Sequence, residues 1–187
     1  VYTGGFAANY GGRISSIMDI TTRDGNKNRL SGKLSASTFM AKALIEGPLK
    51  KAKSESDGSS SFILTAKHSF LEESSKYLYK YIDTAGLPYN FTDVYGKISI
   101  NAKNGSKVNF FGFNFNDDVS YRNITDIGWN TYGFGSNVVL IPGDFPALVK
   151  ANVAYSKYLI TMNEADEKPR QSSIDGFNVG LSFVYIL

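Results

Sequence analysis

The sequence contains no cysteine, a single histidine and a single tryptophan. Without cysteine, disulfides, thiolate metal sites and a cysteine nucleophile are excluded. The lone histidine, His68, excludes a metal centre built from several imidazoles. No apolar run approaches the roughly 20 residues that a transmembrane helix needs. A place in a membrane would therefore have to be taken by strands closing into a barrel. Unbalanced charge is missing too: 20 Lys and Arg against 17 Asp and Glu leave a formal net charge of +3. That gives no concentrated basic stripe for nucleic acid. The longest basic cluster, Lys50-Lys51-Ala52-Lys53, lies in a Ser/Gly/Asp-rich stretch and reads as a solvated turn. Catalytic constellations are missing as well. Ser59-Ser60-Ser61 reads as a turn, and no G-x-S-x-G elbow occurs. The one close carboxylate pair, Glu72-Glu73, would diverge on a helix instead of flanking a substrate. A non-enzymatic protein without cofactor or metal is the expectation.

What is present is β-prone. The 187 residues include 18 Gly, 12 Tyr and 13 Phe, and 42% of the chain is hydrophobic. This composition suits aromatic strands joined by glycine turns. A short strand is expected at residues 14–22, after the glycines at 11 and 12 and before a turn at Asp24-Gly25-Asn26. Eight strands with period-two alternation follow, at about 30–39, 40–46, 61–70, 94–102, 107–115, 129–140, 147–162 and 173–187. Gly47-Pro48 is expected to stop the second, since proline cannot donate to a ladder. Residues 71–92 read as a long loop with some helix, and 116–126 and 163–172 as polar loops. Asn104-Gly105 and Pro142-Gly143-Asp144 read as tight turns. Long and short connections thus alternate.

Several of these strands run to about nine to fifteen residues, whereas strands of globular domains average about five or six. Tilted strands that cross a bilayer need about 9–11. One face carries Ser, Asn, Gly and a few Lys, as a water-filled or plugged lumen requires, and the other is apolar. Tyr95, Tyr132, Tyr155, Tyr158 and Tyr185 fit an interfacial girdle. Alternation alone leaves a soluble antiparallel sandwich open. A self-contained eight-stranded outer-membrane barrel with a structural or adhesive role also fits the size. Val1 begins in mid-motif without signal-peptide regions, and Phe183-Val184-Tyr185-Ile186-Leu187 reads as mid-strand. A piece of a longer polypeptide is expected.

The stretch Gly11-Gly12-Arg13-Ile14-Ser15-Ser16-Ile17-Met18-Asp19-Ile20 resembles the last strand of the plug domain of a TonB-dependent outer-membrane receptor of the Bacteroidetes type. Thr22-Arg23-Asp24-Gly25-Asn26 resembles the linker into its barrel. Residues 31–49, ending Glu46-Gly47-Pro48-Leu49, are similar to the first barrel hairpin, and residues 61–71 to the next strand. The resemblance implies a division into residues 1–25, the end of the plug and linker, and 26–187, the N-terminal portion of the barrel. The fold implied is all-β: about eight antiparallel strands of a larger, 22-stranded transmembrane β-barrel. It also implies energised uptake of a siderophore, cobalamin, glycan or peptide across the outer membrane of a Gram-negative cell. Its partners would be outer-membrane lipid, the TonB complex acting through N-terminal parts, and in some members a surface lipoprotein lid.

Arg13 and Asp19 are the candidate site residues, as polar contacts between plug and barrel wall. A fixed salt bridge or cap is the plainer reading of both. His68 reads as an ordinary inward polar residue, with a ligand contact as the sharper alternative. Asp83 and Asp117-Asp118 read as solvated loop acids, since no spacing matches a calcium loop.

Overall fold

The structure, a computed structural model, describes residues 16, 18–52, 57–82, 84–121, 124–143, 146–165 and 167–185. The elements run β1 Ser31–Ala36, β2 Met40–Lys50, β3 Ser59–Ser69, α1 Leu71–Leu78, β4 Tyr89–Asn101, β5 Lys107–Tyr121, β6 Thr125–Leu140, β7 Ala147–Glu164 and β8 Arg170–Tyr185. All eight strands form one antiparallel sheet in chain order. β1 pairs with β2 alone and β8 with β7 alone, so both are edges among the described residues. β7, with 18 residues, spans about 60 Å at ~3.3 Å per residue.

Three expectations change. β2 does not stop at Gly47-Pro48; it continues to Lys50, and a register shift between Pro48 and Lys50 accommodates the missing N–H donor. Residues 116–121 and 125–126, expected in a loop, are strand. The β5–β6 ladder runs out to Tyr121↔Thr125, because Asn116, Asp118 and Ser120 occupy one face and Phe115, Asp117 and Val119 the other. A polar strand face has the composition of a polar loop. The alternation of long and short connections goes with it, since the long connection from β3 to β4 carries α1 and has no equal. In that helix Lys76 sits 3.3 Å from Glu72 and 3.0 Å from Glu73, an i,i+3/i+4 pairing that supports a short helix. Asn104-Gly105 does make a hairpin turn: Gly105 has φ +84°, and Ser106 N–H donates to Asn104 Oδ1 at 3.1 Å.

The register sorts the side chains onto two faces. The covered face is the one on which residues 18–28 lie. It carries Ile63, Lys97, Phe111, Gly135 and Ala154 along one rung. The bare face carries Phe62, Ile98, Phe110, Ser136, Val153 and Val179 along the next. On β7 the bare face is apolar from Ala147 to Tyr155 and then meets Lys157; on β8 it is apolar from Tyr185 back to Phe177 and then meets Asp175, which pairs with Lys157. The apolar run on each strand is thus about nine residues, close to what a tilted transmembrane strand needs. Tyr132 and Tyr155 mark its margin, ring centroids 6.4 Å apart. Tyr95 and Tyr158 lie on the covered face and so leave the expected girdle.

Burial is inverted relative to a water-soluble domain. Among the described residues the buried hydrophobic side chains are Ile63 and Ala147 only. Leu34 is 85% exposed, Leu181 78% and Phe177 70%. Burying one such side chain contributes about 1.5–3 kcal/mol. Leaving a dozen in water would forfeit more than the 5–15 kcal/mol by which domains are typically stable.

Candidate functional site

The site is where residues 22–28 meet the covered face. Asp24 is its centre. Lys107 Nζ donates to both carboxylate oxygens at 2.9 and 2.8 Å, and Ser99 Oγ donates at 2.9 Å. Lys97 Nζ lies 3.2 Å away and also donates to the Thr22 carbonyl at 2.8 Å. The lysines stand on adjacent strands, β4 and β5, because alternation puts Lys97, Ser99 and Lys107 on one face. Ser99 is fully buried and Lys97 is 7% exposed. Burial alone would raise the Asp24 pKa, but the hydrogen bonds from Lys107, Ser99 and Lys97 outweigh it and bring the value to about 2.

A second hold adjoins the first. The Arg23 guanidinium forms a two-pronged pair with the Glu46 carboxylate of β2, the geometry that makes arginine–carboxylate pairs directional. Glu46 also accepts from the Asn26 N–H at 3.1 Å. Asn26 Oδ1 then accepts from the N–H groups of Asn28 at 2.9 Å and Arg29 at 3.1 Å. This side-chain turn leads into β1.

Gly25 joins the two holds. Its backbone is buried against β3, and a Cβ placed there would overlap the Phe62 carbonyl. The Asp24-Gly25 pair is therefore a close-approach element instead of the expected turn; the turn opens at Asn26 and runs to Arg29.

Of the sequence candidates, Arg13 lies outside the described residues, as does Asp83. Asp19 is exposed and lines a cavity of about 440 Å³ between residues 19–22 and the wall at Tyr95, Asn109 and Phe113. Among the described residues no cation meets it. The expected strand over 14–22 is absent at residues 16 and 18–22. The Thr22 carbonyl is met by an ammonium, and its Oγ1 by the Tyr95 hydroxyl at 2.7 Å, so side chains stand where ladder partners would. His68 faces the bare side, not inward, with Nδ1 2.8 Å from Thr92 Oγ1. Asp117 accepts from the Tyr89 hydroxyl at 2.8 Å, and Asp117 and Asp118 lie on a strand, on opposite faces. The sequence names Arg23, Asp24 and Glu46 only as parts of the linker and hairpin motifs, and gives Lys97, Ser99 and Lys107 no site role. The available signal was a lysine at 97 and a serine at 99 on the polar side of a strand whose other side is Ile98 and Ile100.

The fold and site together define an all-β chain: one up-and-down antiparallel sheet, with an apolar bare face and a polar face that holds a preceding segment by one buried ion pair, Asp24–Lys97, and partly exposed ones through Lys107 and Arg23. No family model matches the chain, and no curated protein and no solved structure matches it.

Proposed function

We propose that this chain is a stretch of a TonB-dependent outer-membrane receptor, serving energised nutrient uptake and no catalysis. The observation that carries the reading is the bare face. It is free of charge across about nine residues of β7 and of β8, and polar residues resume on the same face at Lys157 and Asp175. A lipid-facing strand has that depth pattern. The covered face, holding a segment through Asp24 and Arg23, then corresponds to the lumen wall, and residues 18–28 to the passage from plug to barrel. Outer-membrane lipid is the direct partner; TonB and a surface lipoprotein lid are partners of the whole receptor.

Two other readings fare worse. A self-contained eight-stranded barrel needs β1 to pair with β8, and among the described residues each has one neighbour only. A soluble sandwich needs a second sheet over the bare face, and the described strands form a single sheet. The reading is tested by washing outer membranes with urea and carbonate and following the full-length protein. Retention of a band far larger than the 20.5 kDa of this chain is expected. A resistant band near that mass would favour the small barrel, and release into the wash would overturn both membrane readings.

A further inference from the structure

We propose that residues 22–26 are a fixed anchor on the wall, and that movement of the chain ahead of them stops at Thr22. The inference rests on the receptor reading for its purpose, but its geometry stands on the holds themselves. Three independent contacts converge within three residues. Arg23 reaches Glu46 on β2, Gly25 lies against the Phe62 carbonyl on β3, and Asp24 takes Lys97 and Lys107 on β4 and β5. The segment is thereby fastened across four neighbouring strands. Lifting it requires separating buried charges and re-exposing the buried Gly25 backbone in one event.

The hold ends abruptly on the N-terminal side. Met18 is 67% exposed and Ile20 73%, and Asp19 and Thr21 are exposed as well. Thr22 makes the last contacts, through its hydroxyl to Tyr95 and its carbonyl to Lys97. Among the described residues ahead of Thr22, residues 18–21 carry no hydrogen bond or ion pair to the sheet, so a load passing through them meets its resistance at 22–26. The cavity beside residues 19–22 gives the freed chain room to pivot at that boundary. A receptor opened by pulling on its N-terminal side would have its stop here, so that the pull does not reach β1 and the sheet edge.

The test is force spectroscopy on the full-length protein in a lipid bilayer, pulled from its N-terminal end. For the unmodified protein we expect a strong rupture with the chain extended only as far as residues 21–22. In Asp24→Asn and in Arg23→Gln the rupture should shift outward by up to about 30 Å, the extended length of the roughly eight residues up to β1. Release of residues 22–30 together with the upstream chain in the unmodified protein would overturn the anchor. That result needs no variant to fold and no transported substrate. Since the bilayer fixes only where the sheet sits, it also leaves the wash experiment to decide the receptor reading separately.

Discussion

Replacing Asp24 with alanine is expected to detach residues 22–28 from the sheet at a cost of about 3–5 kcal/mol, the usual effect of removing one partner from a buried ion pair. Lys97 is the reason for the size of the effect. Its side chain is 6% exposed, and without Asp24 its ammonium faces Lys107 with no counter-charge. Lys107 is a third exposed and can swing towards water; Lys97 cannot do so without abandoning the Thr22 carbonyl. Amide hydrogen exchange reads the result directly, because the Asn26 N–H donates to Glu46 on β2 and the Asn28 and Arg29 N–H groups donate to the Asn26 side chain. Their protection should fall about a hundredfold or more, while β4–β7 amides keep theirs. Pairing Asp24→Ala with Lys97→Met should recover part of the loss, since no charge is then stranded. Unchanged protection in Asp24→Ala would show that the ion cluster holds nothing.

Acid should do reversibly what the substitution does permanently. The folded Asp24 value of about 2 lies below the ordinary 3.8. Its contribution is thus complete above about pH 4 and is lost as pH falls through about 2, an effect on the order of 2 kcal/mol. A nitroxide at Thr21→Cys, in a chain that otherwise has no cysteine, should gain mobility over that window. With Asp24→Asn added, it should be mobile throughout.

Gly25→Ala is the second large effect expected, for a steric reason. The new methyl group would overlap the Phe62 carbonyl. Phe62 is ladder-bound on both sides, to Gly47 and to Ile98, so the wall cannot yield and the segment must. Arg23 and Asp24 would then be drawn from Glu46 and the lysines. Tryptic cleavage after Arg23 and Lys27 should accelerate at least about tenfold, matching a loss of about 1.4 kcal/mol or more. Combined with Asp24→Ala the effect should be far from additive, because either change releases the same segment. Cleavage at the unmodified rate would mean that the close approach is not needed for docking.

The eight strands were legible in the sequence because period-two alternation survives wherever one face is apolar. Val149, Ala151, Val153 and Tyr155 against Lys150, Asn152, Ala154 and Ser156 placed β7 and its faces correctly. The same logic fails at residues 116–121, where Asn116, Asp118 and Ser120 face away from Asp117, Val119 and Tyr121 and a single aliphatic residue is left to carry the alternation. The docking site was less legible. Asp-Gly is a turn signature in isolation, and nothing local distinguishes a glycine chosen for φ from one chosen for lack of a Cβ. Lys97 and Lys107 are ten residues apart and converge only through the hairpin register, and Asp24 joins them from more than 70 residues away. The sequence offers Arg13 and Asp19 as polar contacts; Arg13 lies outside the described residues, and among those described the segment is held to the sheet through Thr22, Arg23 and Asp24.

The central claim is that the bare face meets lipid and the covered face does not. Nitroxides placed one at a time on residues 149–156 of β7, in the full-length protein in bilayers, test it most directly. Collision with dissolved oxygen should dominate at 149, 151, 153 and 155. Collision with a water-soluble nickel chelate should dominate at 150, 152, 154 and 156, giving a two-residue period. Equal exposure of both sets to the water-soluble reagent, or the opposite phase, would contradict the account.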